Sequence, residues 1–154
     1  MSPTERVRAA LRAQGIEREI LEFEHSTHTA AQAARAVGAT LGQIVKSLVL
    51  RGRLSQQPYL ILVAGDHRAN LDLLRRVIGE ELEQPPPEWV EAVTGFPVGG
   101  VAPIGYLSPI RTLLDPALLQ RNPLWAAAGS SRSVFALSPE ELWALTQAEV
   151  LPEV

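Results

Sequence analysis

The chain has no cysteine, which excludes a disulfide framework, a thiol nucleophile and a thiolate metal site. It has no run of roughly 18 apolar residues, the length a membrane-spanning helix needs. Its opening residues, Met1-Ser2-Pro3-Thr4-Glu5-Arg6, carry charge too early for a secretory signal core. These features predict a cytoplasmic protein with no membrane partner. Positive charge is also in short supply: 14 Lys and Arg against 17 Asp and Glu leave a net charge of −3. That argues against a protein that grips duplex nucleic acid such as DNA along its length, which needs a broad basic face, and leaves room for a local basic rim. Scarcer still is lysine, since Lys46 stands alone among thirteen arginines.

Several motifs are missing as well. No Gly-x-Ser-x-Gly elbow supports a serine hydrolase, and Lys46 follows Val45 where a phosphate-binding loop would place glycine. His25, His28 and His67 lack the spacing of a metal-binding histidine motif. They read as polar loop residues, with a three-histidine metal hydrolase as a remote alternative.

What is present fits one domain, residues 1–154, of mixed α/β or α+β class. It would have a mixed central sheet or partly closed barrel flanked by helices. Three capping boxes, at residues 2–5, 29–32 and 138–141, predict helix starts. The first helix runs toward Gln14 and stops at Gly15, the second ends at Val37-Gly38, and the third is terminal. Asn70 caps a further helix through Ile78, and residues 88–94 form another after three prolines. Strands are expected over residues 16–24, 43–51, 59–64, 80–84 and 111–114, with a helical turn at Asp115-Pro116. Residues 124–128 and 133–137 read as a hairpin around 129–132. The continuously apolar 59–64 is the strand expected to be covered on both faces.

Between the helix ending at Thr94 and the strand at 111 lies Gly95-Phe96-Pro97-Val98-Gly99-Gly100-Val101-Ala102-Pro103-Ile104-Gly105. Its glycines and prolines rule out regular structure, and its apolar residues rule out a floppy linker. An ordered loop of this kind can aim bare amides at an anion or a developing oxyanion. It can equally be a tight crossing of two elements. It follows a helix, so it is not a dinucleotide fingerprint. On the strand over 43–51, Ile44, Lys46, Leu48 and Leu50 share one face. A lysine there must pair, reach a pocket, or snorkel to water. Ser47 faces the other side. His28 and Thr29, at a helix start, are candidates to line a small-molecule pocket.

Ile44-Val45-Lys46-Ser47-Leu48-Val49, the apolar strand after it, Thr94-Gly95 leading into Gly99-Gly100-Val101-Ala102-Pro103-Ile104-Gly105, and Ala128-Gly129-Ser130 ahead of Leu137-Ser138-Pro139-Glu140-Glu141-Leu142 together resemble the YbaK/EbsC group. The match in order and spacing runs from about Val7 to Leu145. That group comprises free-standing aminoacyl-tRNA deacylases and the editing domain inserted in bacterial prolyl-tRNA synthetases. The resemblance implies hydrolysis of the ester on mischarged tRNA, proline tRNA carrying a small wrong residue such as alanine or cysteine, with no cofactor or metal. Its partners would be the acceptor end of aminoacyl-tRNA and, as a further candidate, a synthetase. By that likeness Lys46 contacts the terminal adenosine or its phosphate. The amides of Gly99, Gly100, Val101 and Ala102 polarise the ester carbonyl and position water. Phe23, His28, Thr29, Gly129 and Ser130 shape the amino-acid pocket, and substrate contact extends to Ser47, Pro103, Ile104 and Gly105. Two departures stand out: Ala102 where many relatives carry serine, and no acidic residue around Val134. They leave open a non-catalytic module of the same fold that holds tRNA ends, a nucleotide or a synthetase.

Overall fold

The computed structural model describes residues 1–152. In chain order the elements are α1 (Pro3–Ala13), β1 (Ile20–Glu22), α2 (Ala30–Val37), β2 (Ile44–Gly52), β3 (Pro58–Ala64), α3 (Leu71–Ile78), β4 (Leu82–Glu83) and α4 (Pro87–Thr94). They continue with β5 (Arg111–Leu114), β6 (Leu124–Ala127), β7 (Ser133–Leu137), α5 (Pro139–Thr146) and β8 (Glu149–Val150). Short 3-10 turns at Leu41–Gln43 and Pro116–Gln120 complete the chain.

All three expected capping boxes form. Ser2 Oγ accepts from the Glu5 amide at 3.1 Å while Glu5 returns the bond to the Ser2 amide at 3.2 Å. Thr29 pairs with Gln32, and Ser138 with Glu141, in the same reciprocal way. Each cap satisfies donors that the first helical turn leaves orphaned. At the far ends, Gly38 and Gly79 adopt the left-handed conformation and stop α2 and α3.

One mixed sheet of eight strands carries the rest, in the order β1-β7-β6-β2-β3-β5-β8, with β4 added to the end of β2. The central pair β2 and β3 is antiparallel in a seven-residue register from Val45↔Ala64 to Arg51↔Pro58. Residues 59–64 are buried throughout because both faces are covered. Val45, Val49, Leu60 and Leu62 point into the main core with Val7 and Leu11 of α1, Phe96 and Ala102. Tyr59, Ile61 and Val63 point the other way, onto Leu74 of α3 and Leu113 of β5. Burying each such aliphatic side chain contributes about 1.5–3 kcal/mol before entropy is counted, so this pair anchors the sheet. A third cluster packs Ala33 and Ala34 of α2 on Ile44 and Val134.

Three elements differ from the sequence reading, the first being the strand expected over 80–84, which is confined to Leu82–Glu83 because only these two residues pair with the end of β2. The strand expected over 16–24 shrinks to Ile20–Glu22, an edge strand paired with β7 alone. Before it, Arg18 turns away to bond the Ala136 carbonyl and the Glu141 carboxylate. After α5 the chain adds β8, unforeseen because its two pairing residues are too few to show a pattern. β8 runs parallel to β5, and Glu149 clasps Arg111 through two bonds of 2.6 and 2.9 Å.

The turn joining β2 to β3 is held by one carboxylate. Glu80 accepts from the amides of Leu54 and Ser55 at 3.0 Å each, from Ser55 Oγ at 2.6 Å and from the Tyr59 hydroxyl at 2.9 Å. The Ser55 hydroxyl and amide are the main reasons its pKa is lowered to about 2. A folded-state pKa below the unfolded one contributes stability above the unfolded value and loses it as pH falls toward the folded one. Glu80→Gln should therefore unfold at a lower temperature than the parent at neutral pH. The gap between the two should close between about pH 4.5 and pH 2, as a pair of thermal melts across that range will show. A gap that persists unchanged at pH 2 would contradict this assignment.

Candidate active site

β6 lies against β2 for only two pairs, Ile44↔Trp125 and Val45↔Ala126. β4 rejoins that edge at Arg51. Among the described residues no strand pairs with that edge of β2 through residues 46–50, and the space is left to the glycine-rich segment. A cavity of about 410 Å³ opens here. Its walls are Lys46, Ser47 and Leu48 of β2, Gly99 and Val101 of the loop, and His28 and Thr29 at the start of α2. Trp125 and Val134 form part of an apolar floor.

The loop is fixed at both ends. Gly95, at φ 79°, ends α4 in the left-handed region. Thr94 Oγ1 donates to the Val90 carbonyl at 2.8 Å and accepts from the Phe96 amide at 3.0 Å, which sends Phe96 into the core. Arg6 of α1 then spans the loop's mouth: it donates to the carbonyls of Gly95 and Gly105 and lies 5.0 Å from the centre of the Phe96 ring. Sequence reasoning missed Arg6. The signal was an arginine next to Val7, the buried residue of an amphipathic helix. Tyr106 extends the same packing against Phe96, edge to face at 6.2 Å, and burial pushes its phenol well above the ordinary range.

Within the loop, two glycines are demanded by contact. At Gly99, with φ 91°, an added Cβ would come 2.9 Å from His28 Cβ. At Gly100 it would come within 2.7–2.8 Å of the Ser130 backbone. The loop therefore rests on both the α2 start and the β6–β7 turn. The Gly100 amide donates to Pro97 O at 2.9 Å. The amides of Gly99, Val101 and Ala102 have no hydrogen-bond partner among the described residues.

Lys46 lies with Leu48 and Leu50 on the face of the sheet that also carries Val63, Ile61 and Tyr59, as the alternation predicts. Its Nζ donates to the His67 carbonyl, beyond the end of β3. It forms no ion pair among the described residues. No carboxylate of the described residues therefore compensates its charge. Ser47, one step along, presents a buried Oγ with no hydrogen-bond partner. Thr29 Oγ1 is spent on the Gln32 amide at 3.1 Å, and His28 Nδ1 bonds Ser26 Oγ.

Other residues singled out from the sequence lie around this cavity without lining it. Ser130 supports Gly100 from behind, its Oγ bonded to Ser133 Oγ at 2.7 Å. Gly129, at φ 98°, packs against the start of α1 at Pro3 and Thr4. Ala102, Pro103 and Ile104 are buried on the descending limb of the loop, and Gly105 serves as a carbonyl for Arg6. Phe23 packs in the α2 cluster, its ring 5.5 Å from that of His25. The three histidines are not assembled: His67 is on the other side of Lys46, its Nδ1 2.8 Å from Asp115 Oδ2. Among the described residues no three metal-ligating side chains stand together. Trp125 and Thr27 line the cavity unforeseen, because only the tertiary gap between β2 and β6 exposes them to it.

Bare loop amides, an ammonium with no ion pair among the described residues and an apolar-floored cavity are the chemistry that can take up a polarised carbonyl beside an anion. Residues 24–145 match the model of the aminoacyl-tRNA editing domain. The chain is 36% identical over 126 residues to YwhH of Bacillus subtilis, covering 82% of this chain and 80% of that one. It is 30% identical over 113 residues to the multifunctional Ser/Thr-tRNA deacylase ProXp-y of Escherichia coli, covering 69% and 68%. A crystal structure provisionally described as a trans-editing enzyme for prolyl tRNA synthetase superposes with a TM-score of 0.90 at 43% identity, over 100% of this chain and 99% of that one. The chain belongs to the aminoacyl-tRNA editing domain family. It is thus an enzyme of the aminoacyl-tRNA deacylase class, a hydrolase acting on ester bonds. Among the described residues no helix is long and apolar enough to cross a membrane.

Proposed function

We propose that this cavity receives the aminoacyl ester at the 3′ end of a mischarged tRNA, proline tRNA carrying a small wrong residue, and hydrolyses it in trans. The observation that carries the reading is the convergence of Lys46 with the unpartnered amides of Gly99 and Val101 on one cavity. Lys46 holds a phosphate or ribose oxygen of the terminal adenosine. The loop amides of Gly99 and Val101 polarise the ester carbonyl. Water adds its hydroxyl to the acyl carbon, the acyl–oxygen bond breaks, and the ribose oxygen leaves with the remaining proton. An aminoacyl ester is already activated, so no nucleophilic side chain is needed; one well-placed oxyanion donor is worth roughly 2.7–4 kcal/mol.

Val134 and Trp125 give the amino-acid end an apolar floor, and among the described residues no carboxylate lines it. Ala102 is fully buried in the main core, so the departure from serine there lies behind the cavity wall rather than in it. A small site of this kind acts as a second sieve, admitting alanine, cysteine or serine and excluding the larger cognate residue. The relative of Enterococcus faecalis provisionally described as a Cys-tRNA(Pro)/Cys-tRNA(Cys) deacylase, 28% identical over 122 residues, supports the same class of substrate.

Incubation with alanyl-, cysteinyl- and seryl-charged proline tRNA should release the amino acid well above the spontaneous rate for at least one, and prolyl-tRNA should persist. If none is hydrolysed while tRNA binding is saturable and salt-sensitive, the chain is a binding module of the same fold.

A further inference from the structure

Lys46 faces Val63, and Leu48 faces Ile61, across the β2–β3 register. The first member of each pair lines the cavity just described; the second lines another, of about 520 Å³, on the same face of the sheet. Lys46 thus stands on the ridge between two hollows, and its ammonium is bonded to the carbonyl of His67, a residue of the second.

The floor of that second cavity is apolar, built from Ile61, Val63 and Leu74. Its rim is not. The His67 imidazole, 43% exposed, is held by Asp115 Oδ2 at 2.8 Å. Asp115 is itself fixed by the amides of Ala64 at 3.1 Å and Ala117 at 3.0 Å. Arg68 lines the same rim and forms no ion pair among the described residues, while its neighbour Asp66 is spent on Arg121 at 2.6 Å. An apolar floor, a fixed aromatic ring and a guanidinium with no ion pair among the described residues are what one unstacked nucleotide needs: a surface for the base and a cation for its phosphate.

Resting on the proposed function, we infer that the second cavity binds the nucleotide immediately 5′ of the terminal adenosine. The single-stranded end crosses the Lys46 ridge, with the connecting phosphate at the ammonium and the aminoacyl ester in the first cavity. The two hollows form one track, and the second supplies affinity for a polynucleotide end that a lone aminoacyl nucleoside cannot use.

Ala117, on the wall of the second cavity, belongs to no part of the hydrolytic machinery, and Ala117→Trp would fill the space. With an aminoacylated minihelix ending in CCA, that variant should show a KM raised about tenfold with kcat unchanged. With an aminoacyl-adenosine ester both constants should equal those of the parent. Arg68→Ala offers a second measurement that needs no turnover. The slope of log K against log salt for an uncharged CCA-ended minihelix should become shallower by about 0.7. Equal losses on both substrates, or no change in KM and salt slope, overturn the inference while deacylation stands. A parent protein that hydrolyses neither substrate overturns the proposed function instead, and the salt slope still decides whether the nucleotide is bound here.

Discussion

Lys46→Ala is expected to lower kcat/KM for deacylation by about 10²-fold, or ~2.7 kcal/mol, in a protein that still folds. The size follows from the site's inventory of charge. Lys46 is the chain's one lysine, and its ammonium forms no ion pair among the described residues. Its single hydrogen bond among the described residues goes to a neutral carbonyl, that of His67. A charge left uncompensated beside bare amides is free to take up an anionic or carbonyl oxygen, where a charge-assisted hydrogen bond is about twice as strong as a neutral one. Removing it costs the fold little, because the partner carbonyl belongs to an exposed residue and water can replace the donor. The thermal midpoint should therefore stay near that of the parent while turnover collapses. Lys46→Arg should restore only part of the rate, since a planar fork cannot occupy the position of a compact ammonium. Single-turnover deacylation beside a thermal melt tests both points. Unchanged turnover in Lys46→Ala would remove the residue from the site.

Lys46 was legible from the sequence for a local reason, and its surroundings were not. Strand alternation puts it on a definite face, and its rarity sets it apart, whereas the carbonyl it meets is 21 residues away in a turn with no pattern of its own. The helices behaved likewise: a capping box is written in four consecutive residues, so all three starts could be read. The doubly covered β3 was visible in its unbroken apolar run. What escaped depended on pairing between distant segments. The shortness of β1, the existence of β8 and the gap between β2 and β6 that creates the cavity all arise from which strand lies beside which. The glycine-rich loop fell between these cases. Its composition announced an ordered, uncovered backbone, but only the structure shows Arg6 bridging its two ends and His28 and Ser130 pressed against its two central glycines.

Those contacts make Gly100 a position where one added methyl group should disrupt the site directly. Gly100→Ala would place Cβ 2.7–2.8 Å from the Ser130 backbone, closer than real Cβ contacts come, and neither backbone can yield by rotating a side chain. The loop must lift from the β6–β7 turn and carry the neighbouring amides of Gly99 and Val101 out of register with the ester. Losing one aligned oxyanion donor costs about 10²–10³ in kcat, so a drop of at least that size is expected, with a stability loss of roughly 1–3 kcal/mol for the overpacking. Gly79→Ala separates the two effects. Gly79 has φ 94° and open space where its Cβ would go, so alanine there costs about 1–2 kcal/mol of left-handed strain at the end of α3. That variant should melt earlier yet deacylate at the parental rate per folded molecule. If Gly100→Ala behaves like Gly79→Ala, losing stability but not kcat, then the amides of this loop do not act on the ester. If it loses kcat at a temperature where both variants are fully folded, the contact between the loop and the β6–β7 turn is part of what positions the oxyanion site.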